Sequence, residues 1–334
     1  MNLADRCSAE ARQTSAAQSC ANASRGEIGL ELQLRHGGSA EITLRYELIG
    51  DGPRLLVVGG GISAGRHVLA SSEFPESGWW QAQAPSFDLG EFRLLAIEWV
   101  GGDGKLDLPI DAADQADAIV ALIDHLGIER ADAFIGASYG GMVALQFAAR
   151  HPRRCNAILV ISAADVSHPF ASACRSLQRR ALELGEATGD SASGVALARA
   201  MAMLTYRTPG EFAERFSAAP RIEEGRVLVG ADDYLDHHGR RHVERMSAVA
   251  YRRLSESIDL HRVDPADIRI SASFAAVDSD ALVPAQDVEA LAAAISSARF
   301  QAIHSVFGHD AFLKEERQVA AIITDFLQFL EAKP

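Results

Sequence analysis

Cysteine is scarce in this chain. Only Cys7, Cys20, Cys155 and Cys174 occur in 334 residues, and none falls in a Cys-x-x-Cys pair. That argues against a disulfide framework and for a reducing compartment. Apolar runs are short, and none approaches the ~20 residues needed to cross a bilayer. Residues 1–26 are rich in Ala, Ser and Gln, lack an apolar signal-peptide core, and carry Asp5 and Glu10 among their arginines. A secretory signal and an organelle transit peptide are both disfavoured, so the expectation is a disordered leader over 1–26 on a soluble, cytoplasmic protein. Positive charge is also deficient. The formal net charge of −13 argues against nucleic acid or an anionic membrane as a partner. The usual nucleotide-binding signatures are missing too. Gly59-Gly60-Gly61-Ile62-Ser63 follows an apolar run but has neither the lysine of Gly-x-x-x-x-Gly-Lys-Ser/Thr nor the spacing of Gly-x-Gly-x-x-Gly.

What remains is ordinary globular material, 48% hydrophobic and 23% charged, enough for one large α/β domain with an insertion or for two domains. Over 28–49, two alternating segments flank His36-Gly37-Gly38-Ser39 and read as a hairpin at a sheet edge. Leu55-Leu56-Val57-Val58 is a continuous apolar run of the kind a buried parallel strand shows, and residues 92–100 and 157–161 repeat it. Between them, 111–126 has helical spacing, with Asp111 as its cap. From about 164 to 262 the strand signal stops and arginine-rich helical stretches take over. The alternation resumes with a strand at 268–277, a helix at 284–295, a strand at 300–306 and a helix at 311–330. The expectation is one parallel-sheet domain covered on both faces, built from 27–163 and 263–334 and interrupted by a helical cap over 164–262.

The most informative stretch runs from Asp132 to Met142. It is an apolar strand ending in Gly136-Ala137-Ser138-Tyr139-Gly140 and passing directly into a helical pattern. A nucleophilic serine on so tight a strand-to-helix turn needs small neighbours, and Gly136, Ala137 and Gly140 supply them. The helix N-terminus behind it favours developing negative charge. This is the nucleophile elbow of an α/β-hydrolase fold, in which the loop Gly59 to Ser63 supplies the second oxyanion N–H.

In that fold the acid and then the base follow the serine along the chain. Asp280 lies just past the strand ending at Val277, and His309 just past the strand ending at Val306. Asp278 is a rival acid, and Asp280 could instead cap the next helix. His304 is a rival base, but it falls inside the expected strand, so loop-borne His309 is preferred. His238 and His242 share a helix face but lack the glutamate of a His-Glu-x-x-His zinc frame, so no metal is expected. The arginine pairs at 179–180, 240–241 and 252–253 read as solvated helix faces.

Taken together, His67-Val68, Gly78-Trp79-Trp80, the elbow through Gly141-Met142, Met203-Leu204-Thr205-Tyr206-Arg207, Arg215-Phe216, Ser279-Asp280-Ala281-Leu282 and Gly308-His309-Asp310-Ala311-Phe312-Leu313 resemble the homoserine O-acyltransferase family. The resemblance implies an α/β-hydrolase fold and acyl-CoA as co-substrate with no permanently bound cofactor. It also implies L-homoserine as acceptor in methionine biosynthesis, and a homodimer. Carried over by residue, it makes Ser138 the acylated nucleophile, His309 its base and Asp280 the acid, and it assigns the amino-acid substrate to Arg207 and Asp310. The oxyanion N–H groups fall to Ile62 and Tyr139. The chain departs from the family after Gly101-Gly102-Asp103-Gly104, where the connection to Asp111 is short. Its length and the Gly-Ile-Ser-Ala and Leu-Ser-Glu-Ser-Ile-Asp-Leu segments are most similar to members assigned to succinyl transfer. Homoserine O-acetyl transfer, serine O-acyl transfer, an esterase or thioesterase, and a non-catalytic receptor are the alternatives.

Overall fold

The structure, a computed structural model, describes residues 21–332. Its centre is an eight-stranded sheet in the order β1-β2-β4-β3-β5-β6-β9-β10. The edge hairpin is β1 (Ala23–Leu34) and β2 (Gly38–Ile49), and β2 runs antiparallel to β4 (Phe92–Ile97). From β4 onward the pairing is parallel through β3 (Arg54–Gly59), β5 (Ala131–Ala137), β6 (Cys155–Ile161), β9 (Ser271–Val277) and β10 (Arg299–Ile303). Successive side chains alternate across the sheet. Leu55 and Val57 enter one apolar core with Leu95 and Ile97, while Leu56 and Val58 enter the other with Leu94 and Ala96. Burial on both faces is why these strands read as unbroken apolar runs. Each such side chain contributes roughly 1.5–3 kcal/mol relative to exposure.

Helices cover both faces. Ile119 and Leu122 of helix Ala112–His125 and Phe147 of helix Tyr139–Arg150 join the first core, and Ile323 and Phe326 of helix Glu316–Glu331 join the second. Asp111 caps as its sequence position implies. Its carboxylate accepts from the N–H groups of Ala113 and Asp114, and that of Asp114 accepts from the Asp111 N–H.

Between β6 and β9 the chain leaves the sheet and forms five helices, Pro169–Ala187, Ser191–Tyr206, Pro209–Arg215, Asp232–Val243 and Ala248–Leu260. The same segment holds a small exposed hairpin of β7 (Arg221–Glu223) and β8 (Arg226–Leu228). Strands of three residues are too short to leave a periodic signature.

Three boundaries differ from expectation. Residues 1–20 of the expected leader lie outside the described residues, but residues 23–26 belong to β1 and pair with residues 46–49 of β2. Ala-Ser-Arg-Gly has no apolar alternation, so backbone pairing alone puts it in the sheet. β10 ends at Ile303, which places His304 beyond the strand. The last helix is broken at Glu315 (φ −85°, ψ 59°) into Ala311–Lys314 and Glu316–Glu331.

The turn after β5 leaves no room for side chains. A Cβ on Gly136 would lie 2.2 Å from the Gly140 carbonyl oxygen, and one on Gly140 would lie 2.2 Å from the Gly59 carbonyl oxygen. Both contacts are backbone against backbone, which relaxes poorly. Gly140→Ala is therefore expected to cost about 3 kcal/mol, the upper end of overpacking penalties. Gly61→Ala, whose added methyl meets nothing within 4 Å, should change stability by less than about 0.5 kcal/mol. Equilibrium denaturation of the two variants side by side measures this, and equal losses would contradict it.

Candidate active site

Ser138 sits at the end of β5 with φ 54° and ψ −119°, outside the comfortable region for a residue with a side chain. Surrounding hydrogen bonds hold it there. Its N–H donates to the Ile161 carbonyl at 2.8 Å, and its own carbonyl accepts from Gly141 and Met142. Two residues on, the Gly140 N–H donates to the Gly60 carbonyl at 2.8 Å, locking the elbow to the glycine loop after β3.

The hydroxyl meets His309, with Ser138 Oγ 2.8 Å from Nε2. On the far side of the ring, Nδ1 lies 2.6 Å from Asp280 Oδ2. A carboxylate only accepts, so Nδ1 carries the proton, and the neutral ring presents Nε2 as acceptor to the serine O–H. Asp280 does not cap a helix. Its second oxygen accepts from the N–H groups of Leu282 and Val283 at 2.8 and 3.0 Å, which fixes the carboxylate in its loop. Asp280 and His309 are each only 5% exposed. The rival pair is also real. His304 Nδ1 lies 2.9 Å from Asp278 Oδ2, but those side chains are 78% and 48% exposed and do not border the serine. Burial beside the nucleophile separates the two Asp–His pairs.

Ser138, His309 and Asp310 open onto a cavity of about 210 Å³ between sheet and cap. Ile62 and Tyr139 line it as well. Neither N–H donates to another backbone group among the described residues, and the Tyr139 amide starts a helix, where such a donor has no intrahelical partner. The side chain of Tyr139 points away, its hydroxyl 2.6 Å from Ser257 Oγ in the cap and its ring edge-on to Trp99. The Trp99 indole N–H in turn donates to the Gly61 carbonyl at 3.0 Å. One aromatic pair thus braces the elbow, the glycine loop and the cap.

The expected amino-acid groups take unequal places. Asp310 borders the cavity and is raised above the usual carboxylate range by burial, against the opposing pull of Arg207 and His309. Arg207 stands behind it rather than on the cavity wall. One guanidinium nitrogen is 3.0 Å from Asp310 Oδ2, another is 3.1 Å from Glu211, and Nε is buried without a partner. Sequence reasoning missed Glu211, which is 4% exposed and shared by Arg207 and Arg215. The Thr-x-x-Glu spacing of Thr208 and Glu211 was its available signal, since Thr208 does cap that helix. Thr208 also donates to the Val306 carbonyl at 2.7 Å, tying the cap to the loop that carries His309.

The other candidates are structural. His238 and His242 pack against Tyr234 and Tyr251, and burial pushes them down to about 4 and about 3, so both are neutral rings at pH 7. Among the described residues no cluster of three or more His, Cys, Asp or Glu side chains could hold a metal. Arg179, Arg252 and Arg253 are paired with Asp259, Glu186 and Asp107.

The family profile described as the alpha/beta hydrolase fold matches residues 53–316. The chain thus belongs to the α/β-hydrolase fold, the class its sheet order and elbow define. A homoserine O-succinyltransferase of Xanthomonas campestris pv. campestris is 49% identical over 309 residues, 91% of this chain and 84% of that relative. A homoserine O-acetyltransferase of Thermus thermophilus is 38% identical over 292 residues, 76% of this chain and 73% of that protein. Within the hydrolase fold, the chain is therefore a member of the homoserine O-acyltransferase family. The crystal structure of esterase E22 superposes with a TM-score of 0.80 at 16% identity, covering 92% of this chain and 100% of that one, a likeness of fold alone.

The electrostatics of His309 predict a pH dependence if it serves as the base. Burial works to lower the His309 pKa, but the charge and hydrogen bond of Asp280 outweigh it, and the net shift is upward from the ordinary 6.5. A general base must be neutral, so activity should be lost as pH falls through this raised value, and the acid limb of kcat/KM should have its midpoint above 6.5. In Asp280→Asn the two largest raising interactions vanish while burial and the weaker pull of Asp310 remain. The midpoint should then move to lower pH, and kcat should fall by roughly 10⁴-fold as the tautomer is lost. An unmoved acid limb in that variant would remove His309 and Asp280 from the reaction.

Proposed function

We propose that this protein transfers an acyl group from acyl-CoA to the hydroxyl of L-homoserine, with succinyl-CoA the favoured donor, as a cytoplasmic step of methionine biosynthesis. The observation that carries the reading is the 49% identity to a homoserine O-succinyltransferase over 91% of this chain. The geometry supports a ping-pong sequence. Ser138 Oγ attacks the thioester carbonyl as His309 Nε2 takes its proton, and the tetrahedral oxyanion lies between the N–H groups of Tyr139 and Ile62. Collapse expels the CoA sulfur, which leaves with the proton from His309, and an acyl ester stays on Ser138. Homoserine then enters, His309 removes its hydroxyl proton, and the alkoxide attacks the ester. The second collapse returns the proton to Ser138 and frees O-acylhomoserine. Asp280 holds the tautomer throughout.

Asp310, beside the base, is the group we assign to the substrate ammonium, with Arg207 as the positioning residue that fixes its carboxylate. A homodimer fits the apolar stripe of Phe170, Leu177 and Leu184, spaced seven apart on one cap helix and 50–66% exposed.

The test is a matrix of kcat/KM values for succinyl-CoA and acetyl-CoA against L-homoserine and L-serine. Succinyl-CoA with L-homoserine should lead, while serine, one methylene shorter, should trail by only ~10–200-fold. Preference for acetyl-CoA would defeat the donor half of the reading. Thiol release indifferent to homoserine would make the protein a hydrolase. Ser138→Ala should lose several orders of magnitude in kcat, and near-parental transfer by it would refute the acyl-serine route.

A further inference from the structure

Ser162 carries two features that the acyl-transfer sequence above does not use. It follows β6 directly and has φ 52°, in the left-handed region that a residue with a side chain seldom occupies. It is also fully buried and borders the cavity that Ser138 and His309 share, yet among the described residues its Oγ has no nitrogen or oxygen partner. A strained backbone and an unpaired hydroxyl out of water both cost stability, and native structures keep such costs chiefly where they serve a site.

The Ile161–Ser162 peptide is tied on both sides. The Ile161 carbonyl accepts from the Ser138 N–H at 2.8 Å, and the Ser162 N–H donates to the Ala275 carbonyl of β9 at 2.9 Å. In the sheet, β6 lies between β5 and β9, so Ser162 stands between the strand that ends at the nucleophile and the strand that leads to Asp280. His309 spans the same gap, with Nε2 on Ser138 and Nδ1 on Asp280. In an imidazole ring Cε1 is bonded to both nitrogens, and its C–H bisects the directions in which they point. With one partner at the end of β5 and the other just past β9, that C–H is directed toward the end of β6, where Ser162 is. Tyr206 stacks on the ring and Phe312 meets it edge-on, each 6.0 Å away between centres.

We propose that Ser162 is a positioning residue for His309, its hydroxyl oxygen accepting the Cε1–H of the ring and steadying the imidazolium that forms in each half of the reaction. The proposal rests on His309 as the base in the reading above. A carbon donor accounts for a buried oxygen that has no nitrogen or oxygen partner. Positive charge on the ring polarises the Cε1–H, so the contact strengthens as Nε2 takes its proton, and an interaction stronger in the transition state is one that accelerates the step.

Ser162→Ala removes the hydroxyl and keeps the backbone strain, whereas Ser162→Gly removes both. In each variant kcat should fall roughly 2- to 5-fold with KM unchanged. The acid limb of kcat/KM should move to lower pH, because the imidazolium loses a stabilising contact. Asp280 and Asp310, which raise His309, and Arg175, which lowers it, are the same in all these proteins. Ser162→Cys, with a weaker acceptor, should fall between the variants and the wild type. Nuclear magnetic resonance of ¹³C-labelled histidine reads the contact directly, the His309 signal being assigned by its loss in His309→Gln. With the ring neutral, the wild-type Cε1 proton should resonate downfield of those of exposed histidines and move upfield in Ser162→Ala. An ordinary resonance in the wild type overturns the proposal, and so does an acid limb that stays in place in the folded variants. A Ser162→Gly enzyme that matches the wild type overturns it too, leaving Ser162 a backbone role. If neither variant folds, the wild-type resonance alone decides. Absence of homoserine-dependent transfer by the wild type refutes the transferase reading, and the spectrum distinguishes that failure from failure of the Ser162 contact.

Discussion

The closest constraint in the molecule is the approach of three backbone segments around Ser138. β5 must end, turn and begin a helix within a few residues, and the Gly59–Gly60 loop must lie against Gly140 closely enough for its carbonyl to accept the Gly140 N–H. Any side chain at Gly136 or Gly140 would part these strands of backbone. The strained φ of Ser138 is stable only because the hydrogen bonds on either side over-determine it. In return the hydroxyl opens onto the cavity beside the helix N-terminus and the glycine loop.

Much of this was legible from local rules, because the sheet core is buried on both faces and small-residue demands are absolute at an elbow. The Asp111 cap, the hairpin around Gly38 and the strands β3 to β6 follow from patterns of a few residues. The choice between Asp278 with His304 and Asp280 with His309 followed from the family resemblance and not from spacing. Both pairs form, both lie after sheet strands, and only burial beside Ser138 distinguishes them. Burial is a property of the assembled cap and core, so no spacing rule reports it. The same holds for Glu211 and for the position of Arg207 behind Asp310, which depend on how a short cap helix meets the loop after β10.

That meeting point couples the two parts of the chain. Thr208 bonds the Val306 carbonyl, Gly308 at φ 61° leaves no room for a Cβ beside the Tyr206 carbonyl, and Arg207 pairs with Asp310. Three contacts within a few residues place the base loop against the end of one cap helix. A shift of that helix would therefore move His309 relative to Ser138, and a misplacement of about 1 Å between reacting groups can cost roughly 100-fold in rate. These helices thus help to position His309 as well as to wall the cavity.

The fold itself does not choose between hydrolysis and transfer, since an esterase shares it at a TM-score of 0.80. An acyl-enzyme is open to any hydroxyl that a general base can deprotonate, and water is always the more abundant one. Transfer therefore requires an acceptor bound long enough and in the right orientation to compete, which means recognition of its charged end. Here several charges beside the cavity are already engaged with one another, Arg207 with Asp310 and Glu211, and Arg175 and Arg179 with Asp259. A zwitterionic acceptor adds no net charge to such a site. Its ammonium needs an acceptor and its carboxylate a cation if each is to leave water. A site that pairs both charges holds an amino acid and gives water no comparable hold, and such an asymmetry favours transfer over hydrolysis.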